Sequence, residues 1–423
     1  MKVQDAIDTC IQCGFCLQSC PTYRIFRTEE SSPRGRIARL KDVLAGTVEA
    51  TPETLATFEE CLGCRACEVA CPSGVPYEEI LLAGRARLRD MQEPPPAPAR
   101  LTLRLVRSHI LLRAAKGLWQ MEGRRLRRAA RRLHSGQSAV RLLAAMPEPE
   151  AAPTVAAGAK AVVQVHRGCV MDVVWPRTNA RAVLLLREAG ITADLMPAST
   201  GCCGALHAHQ GDLPSARELA RGVIAAFESS GGAEVVSLAG GCAAHMKTYG
   251  ELLADDPLWQ ERAERFTRAV EDVTTLLDRQ GYRVRPPATD ERITYQDSCH
   301  LRNGLKVQEA PRRLIAGDGY CEMAEAATCC GSAGIYNVVR PDVAQRMLQA
   351  KVADIIDTGA TTVITANPGC ELQLRLGARE TGDVFEVKHI VDWLWQRREE
   401  GVGASGAAME PGTRPSPPGG EKG

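Results

Sequence analysis

Two kinds of hydrophobic pattern divide the chain. In the first part, apolar residues recur at helical spacing. Arg34–Leu44 carries Ile37, Leu40, Val43 and Leu44 on one stripe, with Pro33 ahead of it as a helix start, and Glu53–Glu60 is also helical in pattern. From residue 160 onward short apolar runs alternate with amphipathic stretches. Ala161–Val165, Glu234–Leu238, Arg292–Tyr295 and Thr361–Thr365 predict short buried strands. Pro214–Phe227 and Asp342–Asp357 predict helices with an apolar stripe. Strands alternating with helices are the mark of α/β units.

The second pattern occurs twice. His166–Arg167–Gly168–Cys169 corresponds to Gln296–Asp297–Ser298–Cys299, Cys202–Cys203–Gly204 to Cys329–Cys330–Gly331, and Gly240–Gly241–Cys242 to Pro368–Gly369–Cys370. The offsets are 130, 127 and 128 residues, so an internal repeat is expected. Proline-rich stretches at Gln92–Pro98 and 147–159 are expected to act as linkers, and the Gly-, Pro- and Ser-rich tail from Gly401 to be disordered. The expected fold class is α+β and multidomain, with segments 1–91, 92–159, 160–285, 286–398 and 399–423. A helical N-terminal domain would precede two repeated α/β cysteine-rich domains.

Composition narrows the function. Apolar residues make up 44 % of 423, and the net charge is +1, so nothing draws the whole chain toward nucleic acid. Charge is concentrated instead: residues 100–141 hold twelve Lys or Arg against one acid, Glu122. Leu101, Leu105, Ile110, Leu111, Leu118, Trp119, Leu126 and Leu133 are interleaved with them. Such a basic amphipathic helix suits the surface of an anionic membrane, or packs its apolar side on a neighbouring domain. No apolar run approaches the roughly 18 residues of a membrane span. Met1–Asp8 is charged and runs at once into cysteines, unlike a secretion signal. A reducing cytosol is therefore expected, with cysteines serving metals more than disulfides.

Seventeen cysteines carry the chemistry. CIQCGFCLQSCP at 10–21 and CLGCRACEVACP at 61–72 both have the spacing Cys-x2-Cys-x2-Cys-x3-Cys-Pro. This is the ferredoxin pattern for [4Fe–4S] clusters, in which the fourth cysteine of each string ligates the other cluster. Cys10, Cys13, Cys16 and Cys71 would hold one cluster, and Cys61, Cys64, Cys67 and Cys20 the second. Structural zinc normally uses paired Cys-x2-Cys units instead. The 40 residues between the strings imply a helical elaboration of the two-cluster domain. In it, Arg34–Gly35–Arg36 could dock an anion or a partner, or cap the insertion against cluster charge.

The later cysteines form two quartets: Cys169, Cys202, Cys203 and Cys242, and Cys299, Cys329, Cys330 and Cys370. Each falls at strand-to-helix turns, where parallel strands build ligand sites, and adjacent glycines admit a bulky inorganic group. Four thiolates per repeat suit a further iron–sulfur cluster; buried apolar cysteines shaping a core are the alternative. His245 and His300 are candidate ligands or proton donors, or merely hydrogen-bonded. Cys321 has no counterpart and reads as a bystander. No G-x-G-x-x-G follows a strand, so no flavin or dinucleotide site is evident, and no catalytic residue is assigned.

CIQCGFCLQSCPTYR with SPRGRI, CLGCRACEVACPSGVPY, CCGSAGIYNVVRPDVAQ and TANPGC together resemble the iron–sulfur subunit of glycolate oxidase. The resemblance runs from Cys10 to about Trp395. It implies a relay of iron–sulfur clusters fed by FAD-binding flavoprotein subunits that oxidise glycolate to glyoxylate. Electrons would pass to a quinone or another acceptor, with the complex peripheral on the cytoplasmic face of the membrane. The same plan occurs in iron–sulfur subunits for lactate and glycerol 3-phosphate oxidation, which are alternative donors. It also occurs in heterodisulfide reductase, where the quartets handle thiols and each last element is Cys-x2-Cys. Here the fifth cysteine position holds His245 or Gln373, a departure from that thiol chemistry. A docking scaffold without clusters in the repeats is a further alternative.

Overall fold

The computed structural model describes residues 3–91, 95–133, 136–156, 161–231, 233–284, 291–317 and 319–403. Parts of both expected linkers (92–94 and 157–160) and the tail 404–423 lie outside the described residues.

Residues 3–91 fold as helices alone among the described residues: Val3–Asp8, Cys16–Ser19, Pro21–Phe26, Pro33–Leu44, Pro52–Glu60, Ala66–Val69 and Tyr77–Arg89. The two predicted helices of the insertion are present within a residue. Each begins as its residues dictate. Ser32 accepts the Gly35 amide at 3.0 Å ahead of Pro33, and Thr51 forms a capping box with Thr54 ahead of Pro52. Their apolar stripes meet the first and last helices in one core of Ile7, Ile37, Leu40, Leu55, Phe58 and Ile80. Gly84 lets the Phe58 ring lie against the Tyr77–Arg89 backbone, since a Cβ there would meet the ring at 2.3 Å.

The basic segment is three helices: Ala97–Arg107, His109–Arg132 and Ser138–Ala145. The first begins inside the expected stiff linker, with Pro98 in its opening turn, where a missing N–H costs nothing. The segment divides its apolar residues between two surroundings. Val106, Trp119 and Leu142 are buried, while Leu101, Ile110, Leu118, Met121 and Leu133 face outward. Arg127 is also buried and pairs with Glu148 at 3.1 Å, so it does not belong to the exposed charge.

The repeat is visible in the sheets. The first contains β1 (Val163–His166), β2 (Ala193–Leu195), β3 (Glu234–Ser237) and β4 (Val270–Asp272), all parallel in the order β2-β1-β3-β4. The second contains β5 (Ile293–Gln296), β6 (Thr362–Thr365) and β7 (Glu386–His389), also parallel. Its counterpart of β2 is reduced to a parallel bridge between Ile293 and Tyr320. The four predicted strands match β1, β3, β5 and β6 within two residues. The edge strands β2, β4 and β7 are short and partly polar, and hydrophobic patterning does not mark them. Val165, Val236, Tyr295, Ile364 and Trp393 belong to one buried cluster, so both repeats share a core. The helix Ile390–Gly403 closes that core. Its Asp392 accepts from Thr178 at 2.6 Å and from Arg181 at 2.7 Å in the first repeat.

Candidate metal centres

The two N-terminal cysteine loops have one backbone shape. Gln12 and Gly63 follow the first cysteine by two positions, and Gly14 and Arg65 follow the second by one. All four have φ between 58° and 85°. This left-handed geometry turns successive cysteines inward, and only two of the four positions use glycine for it. Cys10, Cys13, Cys16 and Cys71 line one small cavity together with Phe15 and Tyr77, and Cys67 of the second loop borders it as well. Cys71 thus reaches the first loop across the domain. Cys20 crosses the other way: with Cys61 and Cys64 it is among the charges that would act on Cys67. Cys20, Cys61, Cys64 and Cys67 are buried, whereas Cys13 is exposed and Cys10, Cys16 and Cys71 are partly so.

The second group has a cation beside it. Arg36 is fully buried, donating to the Thr57 carbonyl at 2.5 Å and the Thr22 hydroxyl at 3.1 Å, with Glu60 at 3.6 Å. Cys20 and Cys61 are among its neighbouring charges, and its Nη1 has no protein partner. A buried donor left unanswered is costly; an anionic group held by these thiols would answer it. Arg34, by contrast, is a surface residue held by Glu29 at 2.6 Å and by the Gln12 carbonyl at 3.1 Å. Gly35 is required between them, because a Cβ would fall 2.0 Å from the Glu29 carbonyl.

Each later quartet is gathered at the carboxyl edge of its sheet. Cys169 lies within hydrogen-bond reach of Cys202, Cys202 of Cys203, and Cys203 of Cys242. Cys299, Cys329, Cys330 and Cys370 form the same run. Gly204 and Gly331 have φ of +91° and +89°, and each donates its amide to the first cysteine of its pair at 3.4 Å. Their missing side chains matter, since a Cβ would meet the Ala216 carbonyl at 3.1 Å or the Ala344 carbonyl at 2.6 Å.

Both fifth positions are occupied without thiols. His245 is buried with Nε2 unpartnered, and burial lowers it to about 4. Gln373 accepts from Asn337 at 2.9 Å. Cys321 stands apart from both quartets and receives Arg292 at 3.2 Å.

The groups adjoin one another. Asn303 of the second repeat donates to the Cys64 carbonyl at 2.8 Å, and Cys64 packs in one buried cluster with Cys299 and Cys329. Asn367 links the quartets: it accepts the Gly241 amide at 3.2 Å and donates to the Cys370 sulfur at 3.4 Å. Arg36, Asn303 and Asn367 are functional neighbours that spacing alone does not reveal, although Arg36 and Asn367 fall inside the quoted motifs.

The donor chemistry fits a thiophilic metal. Burial lifts the Cys16 thiol to about 11, and burial followed by repulsion from Cys64 and Cys61 raises Cys67 well above its ordinary value. Bare, these sulfurs hold their protons; a metal displaces them and converts each group to thiolate. The amide donors at Cys61, Cys202 and Cys329 then stabilise the negative sulfur.

Residues 6–75 match the 4Fe–4S dicluster domain, and residues 163–247 and 293–375 match the cysteine-rich CCG domain. The chain is 38 % identical over 418 residues to the "Probable glycolate oxidase iron-sulfur subunit" of Bacillus subtilis, covering 91 % of this chain and 92 % of that one. The chain belongs to the family of glycolate oxidase iron–sulfur subunits. Its similarity to the Escherichia coli "Glycolate oxidase iron-sulfur subunit" is 28 % over 95 % of this chain and 96 % of that one. "Lactate utilization protein A" of Oceanobacillus iheyensis is 28 % identical over 96 % of its own length, but over only 55 % of this chain. This chain joins the dicluster match to two cysteine-rich matches. Among the described residues no helix is long and apolar enough to cross a membrane.

Proposed function

We propose that the chain is the electron-transfer subunit of a glycolate-oxidising complex. Cys10, Cys13, Cys16 and Cys71 hold one [4Fe–4S] cluster, and Cys61, Cys64, Cys67 and Cys20 hold a second. Cys169, Cys202, Cys203 and Cys242, and Cys299, Cys329, Cys330 and Cys370, hold further iron–sulfur clusters. What supports this reading is proximity: Cys71 lines the cavity of the first loop and Cys20 stands near Cys61, Cys64 and Cys67, as an exchange of fourth ligands in the two-cluster ferredoxin pattern calls for. When bound, such clusters supply one-electron transfer, whereas oxidising a 2-hydroxy acid removes two electrons. The substrate step therefore falls to an FAD-bearing partner. This chain's residues gather the thiols, bury them and bring the groups into contact, Cys64 against Cys299 and Gly241 against Cys370 through Asn367.

The flavoprotein partner docks around Cys13. The exposed cysteine is flanked by Ile11 and Phe15, 69 % and 67 % exposed. Apolar side chains beside the one exposed thiol of its group suit a protein surface that must exclude water from the transfer site. Ile11→Asp with Phe15→Asp is expected to weaken the complex by about tenfold or more, roughly 1.4 kcal/mol, and iron counted on the same preparation separates lost docking from a lost cluster. Co-purification of the flavoprotein at wild-type yield would remove this docking face.

The acceptor is a membrane quinone, reached with the chain peripheral on the cytoplasmic face. The helix His109–Arg132 exposes Ile110, Leu118 and Met121 in one stripe beside Arg124, Arg125 and Arg128, a face suited to anionic lipid. Replacing those three apolar residues by Ser and reversing those three arginines is expected to abolish sedimentation with anionic vesicles. Arg127 is left intact because it is a buried structural residue. Undiminished sedimentation would count against this face.

A further inference from the structure

Three domains meet at a group of side chains outside every cysteine set. Glu78 comes from the N-terminal domain, at the start of the helix Tyr77–Arg89. His209 comes from the first repeat, just past its Cys-Cys-Gly turn, and His300 from the second. One ligand atom from each lies within 4.8 Å of the others. The imidazoles of His209 and His300 are stacked with centroids 5.3 Å apart. His300 is only 7 % exposed, and its Nε2 has no hydrogen-bond partner. His245 stands edge-on to His209 at 6.5 Å, its own Nε2 likewise unpartnered. Unanswered imidazole nitrogens clustered in an interior are costly unless something binds them.

We infer that Glu78, His209 and His300 form a mononuclear site for a divalent first-row transition ion, Zn2+ or Fe2+, at the junction of the three domains. Two imidazoles and one carboxylate are a donor set that both ions accept. Arg65 holds Glu78 through one carboxylate oxygen at 2.6 Å and Glu68 at 2.8 Å. Glu79 and Glu251 add two further acids, against Arg65 and the neighbouring Arg85. The acids face Glu78, while burial and the guanidinium groups act on the imidazoles, so both imidazoles stay neutral and free to ligate. Arg65 also fixes the carboxylate in place, as a carboxylate's outer partners do at metal sites. His209 lines a cavity of about 700 Å3 whose other walls include Arg85, Arg89, Arg100 and Arg104. One ion bound by three domains would pin the dicluster domain against both repeats. The inference does not depend on what the cysteines hold.

The test uses the full chain, produced with zinc and iron in the medium and purified without oxygen. Metals are counted by mass spectrometry and clusters separately by acid-labile sulfide. The wild type is expected to carry one metal ion per chain more than Glu78→Gln and His209→Ala, with sulfide equal in all three. In protein produced with zinc, X-ray absorption at the zinc edge, to which cluster iron does not contribute, should show nitrogen and oxygen neighbours at about 2.0 Å rather than sulfur at about 2.3 Å. Equal metal content in wild type and variants would overturn the site. So would a sulfur-only shell, which assigns the ion to the cysteines. Glu78→Gln is nearly isosteric, and the absorption experiment needs only the wild type, so a misfolded His209→Ala leaves both readouts standing.

Discussion

Cys64→Ser should stop electron delivery while leaving substrate oxidation in place. In the complex with its flavoprotein partner, glycolate should still bleach the flavin at the wild-type rate. Reduction of the terminal acceptor should fall by more than about 100-fold, since changes merely in a metal's outer shell already cost 10–100-fold. The reason is position. Cys64 is buried in its own group, and its carbonyl receives Asn303 from the second repeat. It packs with Cys299 and Cys329, the only later cysteines in that buried cluster. Serine keeps the size and loses the soft ligand. The measurement is stopped-flow flavin reduction beside steady-state acceptor reduction on one preparation. Acceptor reduction near the wild-type rate would mean that the second group is not on the path.

Arg36→Met should be the most damaging change outside the cysteines. The guanidinium is fully buried and is answered by the Thr57 carbonyl, the Thr22 hydroxyl and Glu60. Breaking such a buried set from one side costs about 3–5 kcal/mol. It also removes the positive charge beside Cys20 and Cys61, so reduction of the group they hold becomes harder and its potential moves negative. Arg36→Lys retains the charge but not the fork. It should lose stability with a smaller shift in potential. Denaturant midpoints and a redox titration separate the two effects, and a Met variant with unchanged potential would show that Arg36 serves folding alone.

The cysteine groups were legible because cluster ligation demands fixed local spacing, and spacing is a property of sequence. The repeat was legible for a related reason: strand, turn and helix recur together, so three independent offsets agree. Strands β1, β3, β5 and β6 are buried at all or nearly all positions and stand out in the pattern, whereas β2, β4 and β7 are only partly buried and partly polar. What stayed hidden are contacts between distant segments. Nothing near Arg36 marks it as buried while Arg34, two residues earlier, is surface-bound. Asn303, Glu78 and His209 belong to no spacing pattern; only the packing of three domains brings them to their partners. The basic helices show the same limit. Their composition predicts amphipathy, yet which arginine faces inward, Arg127, follows from Glu148 across a turn.

Asn367 lies at the seam between the repeats, reaching from the turn of one to the sulfur of the other. Gly240 lies on the same seam, so close to Ser298 and Leu301 that a methyl group would not fit. The two copies of the duplicated unit are therefore no longer interchangeable modules. Each supplies part of the wall that shields its twin, and neither turn is free to drift in evolution without a matching change in the other.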